Sequence, residues 1–187
     1  MEPLLVCSAM GSTTNNLLAA ADKAINEREV DLSTVRDLHI ASAKTLGVSD
    51  SPYVKDCMDL LDECEQILEG VAMLGELSVR TRDRVVSYGE RCSGRMVAAT
   101  LNGMDIAATQ IESWDLGVMT DSNFGDASVE DSCWPAIKKN VADIPDKTVG
   151  VITGFIGKVR PPDADRGSNP AGLSHVASAT MALAMRR

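Results

Sequence analysis

The chain has 187 residues, 44% hydrophobic and 24% charged, which suits one hydrophobic core and a single domain. A net charge of −9 argues against a surface built for nucleic acid or for an anionic membrane, since either needs a cationic face. Aromatic residues make up only 3%, so the core has to come from Leu, Val, Ile, Ala and Met and is expected to be soft.

Pro3 to Ala9 is a short continuous apolar run, as in a strand covered on both faces. Gly11-Ser-Thr-Thr breaks it, and Ser12 or Thr13 can cap the helix that follows. Leu17, Leu18, Ala21 and Ile25 repeat at helical spacing, and a second such pattern runs from about Ser33 to Leu46. Ser51-Pro52 is a helix start, with Pro at the first helical position. Val54, Met58, Leu61, Cys64, Leu68 and Val71 then line one apolar face, which favours a helical hairpin packed within the domain over a coiled coil. Another helix is predicted from about Arg80 to Leu101, ended by Asn102-Gly103.

Ile106 to Ile111 reads as a strand, Thr120 to Gly125 as a turn-rich loop, and Val129 to Val141 as a short helix. Thr148 to Phe155 is a second buried-type strand. Pro161 to Gly172 is a loop by composition, and Ser174 to Met185 is Ala-rich and helical. Strands alternating with helices predict an α/β fold, a three-layer sandwich around a mainly parallel sheet with the helical hairpin inserted.

The five cysteines, Cys7, Cys57, Cys64, Cys92 and Cys133, contain no Cys-x-x-Cys pair. Cys57 and Cys64 have core spacing on a helix rather than metal-ligand spacing, so buried reduced thiols, a reducing compartment and no metal site are expected. No apolar run approaches the ~20 residues of a membrane span, and no leader peptide is read before the first strand.

Two segments carry the chemistry. In Ser8-Ala-Met-Gly-Ser-Thr-Thr-Asn-Asn16, small residues leave a strand and run straight into a helix start, where free N–H groups favour an anion. On the helix from Arg80, Glu90 shares an edge with Val86, Ser93 and Val97, which places its carboxylate beside the core stripe. Gly89 beside it permits close approach of another group.

These runs, with Val151-Ile-Thr-Gly-Phe-Ile-Gly157, resemble the aspartate kinases of the amino-acid kinase superfamily, truncated at both ends. The first is similar to their Ser-Ala-Met-Gly-x-Thr-Thr-Asn-x-Leu signature, which implies that Thr14 contacts the amino-acid substrate. Ser87-Tyr-Gly-Glu-Arg through Asn102 resembles their Ser-[Phe/Tyr/His]-Gly-Glu helix, which implies that Glu90 binds the α-amino group of L-aspartate. Thr120-Asp-Ser-Asn-Phe-Gly-Asp-Ala127 is similar to Thr-Asp-x-x-Phe-Gly-x-Ala and implies a substrate-side loop or hinge, against which stands a structural turn plugged by Phe124. Thr153-Gly-Phe-Ile-Gly157 looks like the strand end beneath the phosphates, which implies backbone roles for Ser8, Gly154 and Gly157 on the nucleotide side.

The family's Lys-Phe-Gly-Gly strand, whose lysine neutralises the transferring phosphate, has no counterpart, so no catalytic residue is assigned. The downstream Gly-Arg-Gly-Gly-Ser-Asp run aligns in two ways. Asp165 to Asn169 keeps the arginine as Arg166; Gly172 to Met181 brings Ser174 and puts His175 at the Asp position. The resemblance thus spans residues 4–157, with 158–187 degenerate and no ACT regulatory domain. It implies ATP-dependent phosphorylation of the L-aspartate β-carboxylate in lysine, threonine and methionine biosynthesis, with ATP and Mg2+ as cofactors and activity impaired in this chain. The implied partners are L-aspartate and a second copy or a complete aspartate kinase, in the cytoplasm or, in a plant or alga, the plastid. The alternatives are an inactive interaction or regulatory paralogue, and another amino-acid kinase such as the acetylglutamate kinase type.

Overall fold

In the computed structural model, which describes residues 3–159 and 173–175, the first apolar run forms strand β1, Leu4–Cys7. Four helices follow: α1 Thr13–Glu27, α2 Ser33–Thr45, α3 Pro52–Leu74 and α4 Val79–Gly103. The chain then forms β2 Ala108–Ile111, β3 Met119–Thr120, a 3-10 turn Asp131–Cys133, α5 Trp134–Ala142, β4 Val149–Thr153, β5 Ile156–Val159 and β6 Leu173–His175.

Strands β1, β4 and β2 pair in that order, all parallel, with β4 in the centre. A second sheet has the order β3-β5-β6, parallel between β3 and β5 and antiparallel between β5 and β6. This is an α/β fold with mainly parallel pairing, as the alternation of elements predicts. All five residues of β4 are buried. At the edge of its sheet β1 is only half covered, with Leu5 36% exposed, so the expected cover on both faces is not met in the described residues.

The predicted strand 148–155 forms as β4 but stops at Thr153, and a further strand, β5, follows that the sequence reading did not include. Phe155 takes a left-handed backbone (φ 58), which cannot continue a pleated strand, so β4 ends and β5 crosses into the second sheet. The Ala-rich tail also begins differently. Leu173–His175 pairs with the edge of β5, Ser174 opposite Gly157, so strand pairing at an open edge overrides helix propensity at those positions. The rest of the predicted tail helix, 176–185, lies outside the described residues.

Helix α3 begins with Pro52 in its first turn and stops at Gly75 (φ 72), whose N–H bonds the Val71 carbonyl at 2.8 Å. The short link to Ser78 folds α4 back along α3, giving the expected hairpin. Ser78 caps α4, its hydroxyl oxygen accepting from the Thr81 N–H at 3.1 Å. At α1 the cap expectation fails. Ser12 makes no capping bond, because the turn is closed instead by the Thr13 hydroxyl donating to the Met10 carbonyl at 2.6 Å.

Helix α4 lies between the other helices and the sheet, so it is buried almost all round. Leu17, Leu61, Leu68, Val85, Tyr88 and Cys92 pack between α1, α3 and α4. On the opposite side Ala98 meets Ala108, Val149 and Val151 of the sheet. Ser87, Gly89, Ser93, Gly94, Ala98 and Ala99 explain how a helix fits there, because small side chains let both layers approach.

Gly154 belongs to the same close packing. A Cβ there would stand 2.7 Å from the Cys7 carbonyl oxygen and 3.2 Å from Val6 Cγ1. Gly154→Ala is therefore expected to force β1 from β4 and cost about 1–3 kcal/mol. Urea unfolding checks this, and an unchanged midpoint would rule out the tight contact.

Candidate functional site

Parallel pairing places the carboxyl ends of three strands on one rim, with Cys7 beside Thr153 and Ile111 beside Ile152. Beyond those ends come the turn from exposed Ser8 to Ser12, then Glu112 and Gly154. Ligands of open α/β sheets collect at such rims.

Helix α4 crosses close to this rim. A Cβ on Gly89 would stand 3.0 Å from Ala9 Cβ and 3.3 Å from Thr13 Cγ2, so only glycine lets α4 lie this near the β1–α1 turn. The next residue, Glu90, is 3% exposed, and its Oε2 has no hydrogen-bond partner. Burial pushes its pKa up to about 7, while the backbone N–H groups of Glu90 itself and of Ala9 partly offset the rise. Val86 and Ser93, which share its helix edge, are buried as the spacing predicts. A buried carboxyl with an unfilled acceptor is well suited to an ammonium group.

Of the two threonines at the start of α1, Thr13 is fully buried and its hydroxyl is committed to the Met10 carbonyl. Thr14, half-buried, is the one left to face outward. The structure thus brings the β1–α1 turn and the Gly89-Glu90 step of α4 together.

One part of the rim went unnoticed in the sequence. Glu112 is 7% exposed and accepts through Oε1 from Arg95 Nη1 at 2.9 Å and Arg91 Nε at 3.3 Å. Its Oε2 accepts from the Thr153 hydroxyl at 2.6 Å, and Thr153 accepts from Gln110 Nε2 at 3.0 Å. Arg91 also stacks on Tyr88 and Trp114, at 5.0 and 5.6 Å from the ring centroids. The only local signal is Arg91 and Arg95 four apart on a helix, which says nothing of a counter-charge just past the end of a distant strand.

A family profile described as Amino acid kinase family matches residues 1–185. The chain belongs to the amino acid kinase family. Among its relatives, Aspartokinase 1, chloroplastic, of Arabidopsis thaliana is 40% identical over 165 residues, covering 84% of this chain and 28% of that protein. The Saccharomyces cerevisiae aspartokinase is 30% identical over 173 residues, covering 83% of this chain and 32% of that one. The chain therefore spans about a third or less of the length of these relatives. Escherichia coli aspartokinase III in complex with lysine and aspartate shares the fold, with a TM-score of 0.67 at 20% identity over 98% of this chain and 40% of that one. Its complex with aspartate and ADP gives a TM-score of 0.61 at 22% identity over 84% and 35%.

On the side of this amino acid kinase domain where phosphates were expected, several of the described groups already have partners within the chain. The Gly154 N–H is taken by the Cys7 carbonyl at 2.8 Å. Gly157 lacks a Cβ because Thr120 Cγ2 fills that space. Arg91 and Arg95 are held by Glu112, and Lys158 stands over the Trp114 ring at 5.6 Å. Asp121 accepts from the N–H groups of Asn123 and Ser128, at 3.1 and 3.3 Å, which closes its own turn. The Gly125 N–H donates to Asp83 of α4 at 2.8 Å, tying that loop to the helix that bears Glu90. Phe124 is half-buried. Arg166 lies outside the described residues, and Ser174 and His175 are placed only as strand positions opposite Gly157 and Ile156. No helix among the described residues is long and apolar enough to cross a membrane.

Proposed function

We propose that the chain is the aspartate-binding part of an aspartate kinase catalytic domain, one that phosphorylates the β-carboxylate of L-aspartate at the expense of ATP. The observation that carries this is Glu90, a buried carboxyl with a raised pKa and an unfilled oxygen beside the β1–α1 turn. Its carboxylate accepts the α-ammonium group of aspartate, and Thr14 contacts the substrate from the start of α1. Ser8 lies on the same rim, while Arg166 and Ser174 are the candidates for the far carboxylate. Support comes from relatives named aspartokinase and from a neighbour of known structure bound to aspartate and ADP. Magnesium ATP belongs to the reading as the phosphoryl donor, but no step is derived through it, since no clamp for it is found among the described residues. Chloroplastic relatives favour a plastid location over the cytoplasm.

Calorimetry with L-aspartate, and hydroxylamine trapping of aspartyl phosphate in the presence of magnesium ATP, test the proposal. Aspartate binding with little or no turnover is expected. No binding of aspartate rejects the site, and turnover near that of a complete enzyme rejects the reading of this chain as an aspartate-binding part alone. Binding should also weaken as pH falls below about 7, because protonated Glu90 cannot accept an ammonium. Well below that pH the loss approaches about tenfold per unit. A flat profile between pH 5 and 8 would remove Glu90 from the site.

The committed glycine N–H and paired arginines also favour a second reading, a non-catalytic partner of a complete aspartate kinase or of a second copy. Retention of such an enzyme by the immobilised chain would support it.

A further inference from the structure

His39 of α2, Cys57 of α3 and Cys92 of α4 meet on the side of α4 that faces α3. All three are 0% exposed, and their ligand atoms lie within 4.8 Å of one another. His39 Nδ1 donates to the carbonyl of Val35, one turn back on its own helix, at 2.8 Å. A carbonyl can only accept, so the proton sits on Nδ1 and the lone pair on Nε2. That nitrogen is buried and has no partner. Metal-binding histidines are oriented in this way, with the remote N–H on a backbone carbonyl and the other nitrogen facing the ion. Among buried side chains an orphaned imidazole acceptor is costly, and this imidazole stands beside two thiols, so the cluster calls for a ligand.

We propose that His39, Cys57 and Cys92 bind one zinc ion that staples α2 to the α3–α4 hairpin. A triangle with 4.8 Å sides keeps each corner at most about 2.8 Å from its centre. Zinc bonds of about 2.3 Å to sulfur and about 2.0 Å to nitrogen are then reached by inward shifts of at most about 0.5 Å for sulfur and about 0.8 Å for nitrogen. Zn2+ displaces both thiol protons to solvent, and two thiolates balance its charge, so the core gains a neutral centre rather than a buried ion. Three protein donors leave the fourth tetrahedral position to a water molecule. The ligands come from three helices, far apart in the chain, which is why no Cys-x-x-Cys spacing announces them.

The test uses the full chain, reduced, stripped with a chelator, and titrated with Zn2+ and with Co2+ as its spectroscopic stand-in. The expected result is one equivalent bound, thiolate-to-cobalt charge-transfer absorption, and a higher unfolding midpoint with zinc. Cys57→Ser, Cys92→Ser and His39→Ala should each weaken binding about a hundredfold or more. Cys64→Ser and Cys133→Ser should bind like the parent. Absence of stoichiometric zinc on the parent chain, full binding by Cys92→Ser, or loss of binding in Cys64→Ser would each overturn the proposal. So would a Cys57–Cys92 disulfide that is the only bond these thiols form. The parent titration decides the matter even where a variant does not fold.

Discussion

Glu90→Gln is expected to make the unliganded protein more stable at neutral and alkaline pH while removing aspartate binding. The sign follows from the folded pKa of about 7 against an ordinary value of 4.5. The native state holds the proton more tightly than the unfolded chain does, so stability falls as pH rises through this interval and levels off above it. At about 1.4 kcal/mol per unit, the penalty reaches at most about 3.5 kcal/mol. Glutamine fills the same space without a charge to desolvate. The midpoints of variant and parent should therefore coincide near pH 4.5 and separate by about 5–10 °C near pH 8. Scanning calorimetry at both pH values gives the answer. A variant less stable than its parent, or an offset that does not change with pH, would show that Glu90 is not strained by burial.

Glu112→Ala should be strongly destabilising. It removes the carboxylate from two guanidiniums whose side chains are only 14% and 13% exposed, and it leaves the Thr153 hydroxyl without its acceptor. Stripping one partner from a buried charge group costs about 3–5 kcal/mol, because the remaining charges stay desolvated. Stacking of Arg91 on Tyr88 and Trp114 keeps that guanidinium in place and does not neutralise it. The urea midpoint of the alanine variant reports the cost. A loss under about 1 kcal/mol, the range of exposed ion pairs, would mean that solvent screens the cluster.

These two carboxyls differ in how far the sequence announces them. Glu90 could be found because its helical edge, Val86 and Ser93, is apolar or small, and because Ser-Tyr-Gly-Glu is a recognisable run. Glu112 could not. Its partners lie 17 and 21 residues upstream on α4 and 41 residues downstream on β4, and no local period links them. The triad of His39, Cys57 and Cys92 was hidden for the same reason, and the Cys57–Cys64 spacing pointed correctly to a buried helix face and nothing more. The division of β4 from β5 turns on Phe155, a residue type that gives no warning of a left-handed backbone.

Taken alone, the amino-acid order determined the four long helices, their buried faces, the parallel character of the sheet and the family signature. The helices and their faces depend on neighbours within a few residues, where the 3.6-residue turn is written directly, and the parallel character follows from the alternation of strands with helices along the chain. Tertiary structure decided the rest: that α4 is enclosed on nearly every side, that Glu90 consequently holds its proton to about pH 7, and that Arg91 and Arg95 share Glu112. The physical reason is that charge and desolvation depend on what lies within a few ångströms in space, which crossovers and strand register set and local spacing does not.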